Sequence, residues 1–185
     1  MDYLSAKPRI RSGDLIEFGG RSVLARCIQR VTGNPVNHSA IIVRATVCRE
    51  QHNFLYEADS AGFHPAHLSS RIADHKGLVL WYPLSPLLSF VQDSIAKNIL
   101  ALEGRPYDWA SLLLNAFHRQ KLNADKLYCS EAIQYGVRTC LAEIVSPNKP
   151  WAYQMLRRLD NGGYGLFPGE LGLTRVWMPP IEITH

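Results

Sequence analysis

The hydrophobic pattern changes from short strand-like runs to helical spacing partway along the chain, and this order constrains the fold most strongly. Between residues 13 and 84, several apolar runs are rich in β-branched and aromatic side chains and are bounded by turn-forming residues. After Pro86, apolar residues recur every three or four positions instead. Short apolar runs early and long helical periods late predict an α+β fold.

Strands and helices can be assigned from these patterns. The predicted strands are 13–19, 38–47, 54–59 and 78–84, of which the last three look like a meander, and a final strand is predicted at 173–178. The predicted helices are 22–32, 86–104, one that begins near Asp108, one from Cys129 to about Cys140, and 150–159. Two segments are predicted as loops: 60–77, with room for one helical turn, and the Gly-rich surface loop 161–172.

Composition limits the class of protein. A chain of 185 residues that is 46% hydrophobic and 19% charged predicts one compact domain over residues 1–185. A net charge of +4, without runs of like charge, argues against a nucleic-acid partner. The longest uncharged stretch, 77–92, is short and interrupted by Pro83 and Pro86, so no integral membrane segment is predicted.

The start of the chain and the use of cysteine bear on location. The first residues, MDYLSAKPRIRSGD, lack the apolar centre of a secretory signal. Four cysteines without close pairing fit a reducing compartment better than a disulfide scaffold. We therefore expect a cytoplasmic protein, with export by another route left open.

Cys129 is the residue on which an enzymatic interpretation depends. It stands in NADKLYCSEAIQYG, where a polar turn gives way to an apolar helical run. The start of a helix favours a thiolate, which is the nucleophilic form of cysteine. The competing interpretation is a small buried core residue, which is also the interpretation of Cys27, Cys48 and Cys140.

A cysteine nucleophile also needs a general base and a group that orients the base. His38 opens one predicted strand, and Glu57 lies in the next. Side chains on adjacent strands can lie side by side across the ladder, so the two residues are candidates for these roles.

Five blocks of sequence together resemble one family: GDLIEF, NHSAIIV, LYEAD, GRPYDW and YCSE, in that order. The chain is similar to the permuted branch of the NlpC-type papain-like cysteine peptidases and amidases, in which the cysteine helix follows the strands. The resemblance spans roughly residues 13–140. It implies a papain-like fold, with an antiparallel sheet or partial barrel packed against a helical bundle.

The resemblance also implies roles for individual residues. Cys129 would be the nucleophile, His38 the base and Glu57 the residue that orients His38; Glu is one of several residue types found at that third position. The backbone N–H of Cys129 would serve in the oxyanion hole. Tyr128 and Tyr107 are candidates for the second donor.

The histidines at 52, 64, 67 and 75 raise the question of a metal. Zinc sites pair two close ligands with a second returning pair, and that second pair is missing here, so neither a metal nor another cofactor is predicted. We expect instead that the loop after the Glu57 strand borders the substrate cleft and that His64 contacts a ligand.

These residues predict acyl transfer through a Cys129 thioester, and the resemblance implies amide substrates such as cell-wall peptides or small γ-glutamyl or lysyl amides. Two alternatives remain open. One is a lipid-directed acyltransferase or esterase resembling lecithin-retinol acyltransferase, with a pocket formed by the apolar run 78–90. The other is a binding module without catalytic activity on the same fold.

Overall fold

The structure is a computed structural model that describes residues 1–106 and 129–184. Six strands are described: β1 (Leu15–Gly19), β2 (His38–Val47), β3 (Glu50–Asp59), β4 (Gly62–His67), β5 (Leu78–Tyr82) and β6 (Ile181–Glu182). The α-helices among these residues are α1 (Tyr3–Ala6), α2 (Val23–Thr32), α3 (Leu68–Asp74), α4 (Gln92–Leu100), α5 (Cys129–Ile144) and α6 (Pro150–Asp160). Shorter 3-10 helices cover Pro86–Val91, Asn161–Gly163 and Leu171–Thr174.

The strands form one antiparallel sheet in the order β4-β3-β2-β1-β5-β6. The expected meander of 38–47, 54–59 and 78–84 is therefore only partly right. β2 pairs with β3, but β5 pairs with β1, which separates it from the other two. Every residue of β1 is buried, as suits a central strand covered on both faces.

Helices cover both faces of the sheet, so the core has two layers. One layer contains Leu15 and Ile41 together with the apolar faces of α4, α5 and α6. The other contains Ile16 and Ala40, which lie one position away and therefore on the opposite face. The N-terminal segment and α3 close this second layer.

Three segments differ from the sequence-based expectation. The predicted loop 60–77 contains β4 and α3, because its alternating apolar residues pair with β3 in register. The predicted strand 173–178 is instead a 3-10 turn that ends at Arg175, which has a φ of 65°, and Trp177 makes a single bridge to Leu84. The sheet is completed by β6 further along the chain. The first part of the predicted helix 86–104 is a 3-10 helix.

The Gly-rich segment 161–172 is not a surface loop. Leu166 and Phe167 are buried, and the backbone N–H of Gly169 donates to Glu17 Oε1 at 2.8 Å. This segment packs against the sheet and against the side chains of α5, so its glycines serve packing as well as turning. The predicted helix near Asp108 lies outside the described residues.

The four cysteines divide into two groups. Cys129 and Cys140 are buried, but Cys27 and Cys48 are exposed, which corrects their assignment to the core. Cys27 lies on the outer surface of α2, and Cys48 lies in the tight turn between β2 and β3, with a φ of 51°. Two exposed thiols thus accompany one buried thiol at a helix start.

Among the described residues, no helix combines the length and apolar character that crossing a bilayer requires. The cytoplasmic location stays a prediction.

Candidate active site

Cys129 is the first residue of α5, and its side chain is 2% exposed. The N–H groups of the first turn have no acceptor within the helix and carry its partial positive charge. The Cys129 thiol therefore lies at the positive end of α5. This agrees with the position expected for a nucleophile, although the buried setting alone would also suit a core residue.

Side chains of α5 fix the start of this helix against the segment that precedes Gly169. Ser130 Oγ donates to the carbonyl oxygen of Leu166 at 2.5 Å. Gln134 donates from Nε2 to the carbonyls of Leu159 and Tyr164 at 2.6 and 2.9 Å, and its Oε1 accepts from the Leu166 N–H at 2.8 Å. These contacts, all but one of them buried, leave α5 little freedom to shift, so the position of Cys129 is well defined.

His38 and Glu57 lie on the neighbouring strands β2 and β3, at the end of the sheet where β2 begins and β3 finishes. Ile41 pairs with Tyr56, the residue before Glu57, so Glu57 lies level with the start of β2, where His38 stands. The result is a contact of 2.6 Å between His38 Nε2 and Glu57 Oε2. The side chains are 16% and 3% exposed, respectively, so the pair is largely shielded from water.

Arg71 is a further member of this cluster. Its Nε lies 3.0 Å from Glu57 Oε1 and 3.2 Å from Oε2, and its guanidinium sits over the ring of Phe18 at 5.4 Å. Burial raises the pKa of Glu57, but hydrogen bonding and charge from His38, followed by Arg71, hold the pKa of this carboxyl below its usual value. Glu57 is therefore an anion over the whole neutral range.

His38 is also coupled to Cys129. Burial lowers the pKa of His38, but the charge of Cys129 and hydrogen bonding with it, followed by the same influences from Glu57, raise the pKa to about 10. Because Nε2 is occupied by Glu57, Nδ1 is the ring nitrogen left for Cys129. The imidazole thus has a carboxylate partner on one nitrogen and a thiol partner available to the other.

A cleft of about 570 Å³ opens beside His38. The end of β1 and the start of α2 form one wall, through Gly20, Arg21 and Ser22. The segment after α3, with Lys76, forms another. A solvent-filled space next to a candidate base is where a substrate could bind.

The apolar run 78–90, which the lipid-directed alternative assigned to a pocket, does not line this cleft. Much of it is core instead, because Val79, Trp81 and Leu88 are buried against the two layers that cover the sheet.

The remaining predicted site residues have different outcomes. His64 lies on β4 directly opposite Glu57, where its Nδ1 is 3.1 Å from the Gly62 carbonyl and 3.6 Å from Asp59, but it is not among the residues that line the cleft. Tyr107 and Tyr128, the candidate oxyanion donors, lie outside the described residues.

The sequence analysis did not single out Arg71, nor the cleft residues Arg21 and Lys76. Arg71 escaped notice because its segment was interpreted as a loop, although LSSRIAD places Leu68 and Ile72 at helical spacing. With α3 recognised, a basic residue on a helix near the Glu57 strand could have been proposed as its partner.

No family model and no curated protein matches the chain. Among solved structures, the chain is similar to the metalloprotein YiiX of Escherichia coli O157:H7, a DUF1105 protein, with a TM-score of 0.66 and 19% identity. The match covers 92% of this chain and 96% of that chain. At this identity the likeness shows the fold alone, and it agrees with the predicted α+β class.

Proposed function

We propose that the protein is a cysteine hydrolase that cleaves amide bonds through a thioester on Cys129. The observation that carries this proposal is the position of His38, which has Glu57 within 2.6 Å on one side and is electrostatically coupled to Cys129. A base held by a carboxylate and coupled to a thiol at a helix start is the arrangement that an activated cysteine requires.

In the proposed mechanism, His38 accepts the Cys129 proton and the thiolate attacks the carbonyl carbon of the amide. A C–S bond forms while the carbonyl π electrons move to oxygen, and the Cys129 N–H stabilises the oxyanion. Collapse of this intermediate breaks the C–N bond, and the departing amine takes the proton from His38. Water then gives a proton to His38 and attacks the thioester, which releases a carboxylic acid and returns the proton to the thiol.

Within this proposal, Glu57 and Arg71 are positioning residues. Glu57 holds the His38 ring with Nε2 toward the carboxylate and stabilises the imidazolium that forms in each step. Arg71 in turn fixes both oxygens of the Glu57 carboxylate. A neutral residue at 57 would leave His38 present but less basic.

The proposal includes a permuted papain-like fold. Support comes from the chain order, with the His38 and Glu57 strands before the helix that begins at Cys129, and from helices packed on an antiparallel sheet. The substrates proposed are amides of small or cell-wall-derived peptides, as the resemblance of the sequence blocks implies.

Because YiiX is described as a metalloprotein, we tested whether the candidate site fits a metal. Among residues 1–106 and 129–184, no group of three or more His, Cys, Asp or Glu side chains could hold an ion. His38 Nε2 is occupied by Glu57, whose carboxylate also binds Arg71. The described residues do not fit a metal, and no step of the proposed mechanism uses one.

The proposal can be tested without a substrate, by measuring iodoacetamide labelling against pH at each cysteine with peptide mass spectrometry. We expect Cys129 to react faster than the other cysteines at neutral pH, and His38→Ala to slow that reaction on the order of a hundredfold. Cys27 and Cys48 are internal controls, because both are exposed whereas Cys129 is buried. Labelling of Cys129 no faster than that of these controls would reject the hydrolase proposal and favour a binding module.

A further inference from the structure

The cleft beside His38 carries two cations that the mechanism does not use. Arg21 and Lys76 lie on different walls of the cleft, and both are exposed residues. Arg71, the third cation of the lining, is already engaged with Glu57. Within residues 1–106 and 129–184, neither Arg21 nor Lys76 forms an ion pair, so their charges are available to a ligand.

The acidic groups of the cleft do not cancel these charges. Asp59 is the one carboxylate among the described lining residues, and its Oδ1 accepts from the Ala61 N–H at 2.8 Å and lies 3.6 Å from His64 Nδ1. Glu57, behind the lining, is shared between His38 and Arg71. The open space therefore has a net positive lining, which favours an anion.

The wall that carries Arg21 is held in place by hydrogen bonds. The Gly20 N–H donates to Asn37 Oδ1 at 2.6 Å, and Gln29 Nε2 donates to the carbonyls of Gly20 and Pro35 at 3.1 and 2.7 Å. On the other side of Arg21, Ser22 Oγ caps α2 by accepting from the Ala25 N–H at 3.1 Å. Arg21 thus projects from an anchored turn, which reduces the entropy lost when it binds a ligand.

The wall that carries Lys76 approaches the first wall closely. A Cβ on Gly77 would lie 2.0 Å from the Gly19 carbonyl oxygen, and a Cβ on Gly19 would lie 2.6 Å from that of Pro35. Only glycines allow these backbones to meet at the base of the cleft. Their contact brings the segments of Arg21 and Lys76 to the same opening.

We infer that this cleft recognises a carboxylate of the substrate, with Arg21 and Lys76 as the specificity-determining residues. The inference rests on the proposed function, since an amide held for attack by Cys129 would place a neighbouring acidic group next to His38. A guanidinium binds a carboxylate through two parallel N–H donors, and the lysine adds a second charge from the facing wall. Substrates would then be amides of acidic peptides or of molecules with a free carboxylate near the cleaved bond.

The test is an NMR titration of the wild-type protein with glutarate at about 0.15 M salt, where charges farther apart than about 8 Å are screened. We expect saturable shifts of the Gly20, Ser22 and Gly77 amides, and a roughly three- to tenfold weaker affinity in the Arg21→Gln/Lys76→Gln variant. Glutaramide, which has the same shape without the charge, should not shift these amides.

The matched control is Arg49→Gln/Lys97→Gln, which removes the same net charge in the turn between β2 and β3 and on α4. Affinity unchanged in this control supports the inference. Equal weakening in both double variants, or no saturable shift at the cleft amides, overturns it. Inorganic phosphate is titrated in parallel. If phosphate shifts the same amide signals while glutarate does not, the carboxylate assignment is overturned.

The outcome can be separated from that of the hydrolase proposal. Glutarate binding with an unreactive Cys129 would support carboxylate recognition while rejecting the hydrolase. Rapid labelling of Cys129 without glutarate binding would leave the hydrolase proposal standing and overturn carboxylate recognition.

Discussion

Arg71 binds Glu57 through Nε, 3.0 Å from Oε1, while Oε2 of the same carboxylate lies 2.6 Å from His38 Nε2. The carboxylate is thus held from two sides, by a cation on α3 and by the imidazole on β2. Because Glu57 is only 3% exposed, it would be costly to bury as an anion without both partners. The three residues form a chain of contacts that fixes the orientation of the His38 ring.

Replacing the Glu57 carboxylate with an amide should weaken the contacts that join Arg71, Glu57 and His38. In Glu57→Gln the shape is preserved but His38 loses its anionic partner, so we expect the pKa of His38 to fall and Cys129 labelling to slow roughly ten- to hundredfold. Loss of a buried charged hydrogen bond should also cost about 1–3 kcal/mol of the free energy of unfolding, measured by urea denaturation. An unchanged labelling rate would show that Glu57 does not act on the thiol through His38.

The protonation of His38 gives a second prediction. The pKa of about 10 lies above the ordinary value of 6.5, and Cys129 is the largest influence that raises it. We expect NMR of the His38 ring to show an imidazolium at pH 8, and Cys129→Ser to lower the pKa. A ring that titrates near 6.5 in both proteins would contradict the coupling.

The raised pKa of His38 also affects the stability of the fold. A group whose pKa is higher in the folded state stabilises the fold when it is protonated. The contribution of His38 should therefore be complete below about pH 6.5 and disappear as the pH rises through about 10. The difference in unfolding free energy between wild type and His38→Gln, measured by urea denaturation across this range, should shrink with rising pH. A difference that grows with pH would contradict the sign.

Gln134 should be important for stability because it makes three hydrogen bonds to backbone groups, two of them buried. Gln134→Leu leaves two carbonyls and the Leu166 N–H without this partner, so we expect a loss of about 2–4 kcal/mol in the free energy of unfolding. Gln154→Leu is the matched control, because Gln154 lies on the exposed face of α6 and should change stability by less than about 0.5 kcal/mol. Similar losses in both variants would contradict the role of Gln134.

The close approach at the base of the cleft predicts a steric effect. Gly77→Ala would force a Cβ to within 2.0 Å of the Gly19 carbonyl oxygen, so we expect a loss of about 2 kcal/mol or more and displaced amide signals along both walls. Gly20→Ala is the matched control in the same cleft. A Cβ on Gly20 would lie 3.3 Å from Asn37 Oδ1 and 3.4 Å from Ala25 Cβ, which leaves it more room. Equal melting temperatures for the two variants would argue against the contact.

The elements that carry the candidate pair could be predicted because their patterns are local. The turn at Gly33-Asn34-Pro35 precedes β2, and β-branched residues follow His38, so the strand 38–47 was predicted with the bounds that the structure has. The helix start at Cys129 was likewise marked by a change from polar to apolar residues. Both signals lie within a few residues of the positions that they define.

Sheet order and the second layer of contacts could not be predicted in this way. The position of β1 between β2 and β5 depends on contacts distant in sequence, and no local pattern encodes it. Pro65 lies within β4, where proline usually indicates a loop, and it is accommodated on an edge strand. Because β4 and α3 were not predicted, the contact between Arg71 and Glu57 could not be predicted either.

The most direct test of the central claim is to trap the acyl-enzyme. The protein is mixed with p-nitrophenyl acetate, nitrophenolate release is followed by stopped flow, and the acetyl group is located by peptide mass spectrometry. We expect a burst of about one equivalent, with the acetyl group on Cys129 as a thioester that hydroxylamine removes, and no burst in His38→Ala. Acetylation confined to exposed Cys27 and Cys48, or a burst that persists without His38, would contradict the hydrolase proposal.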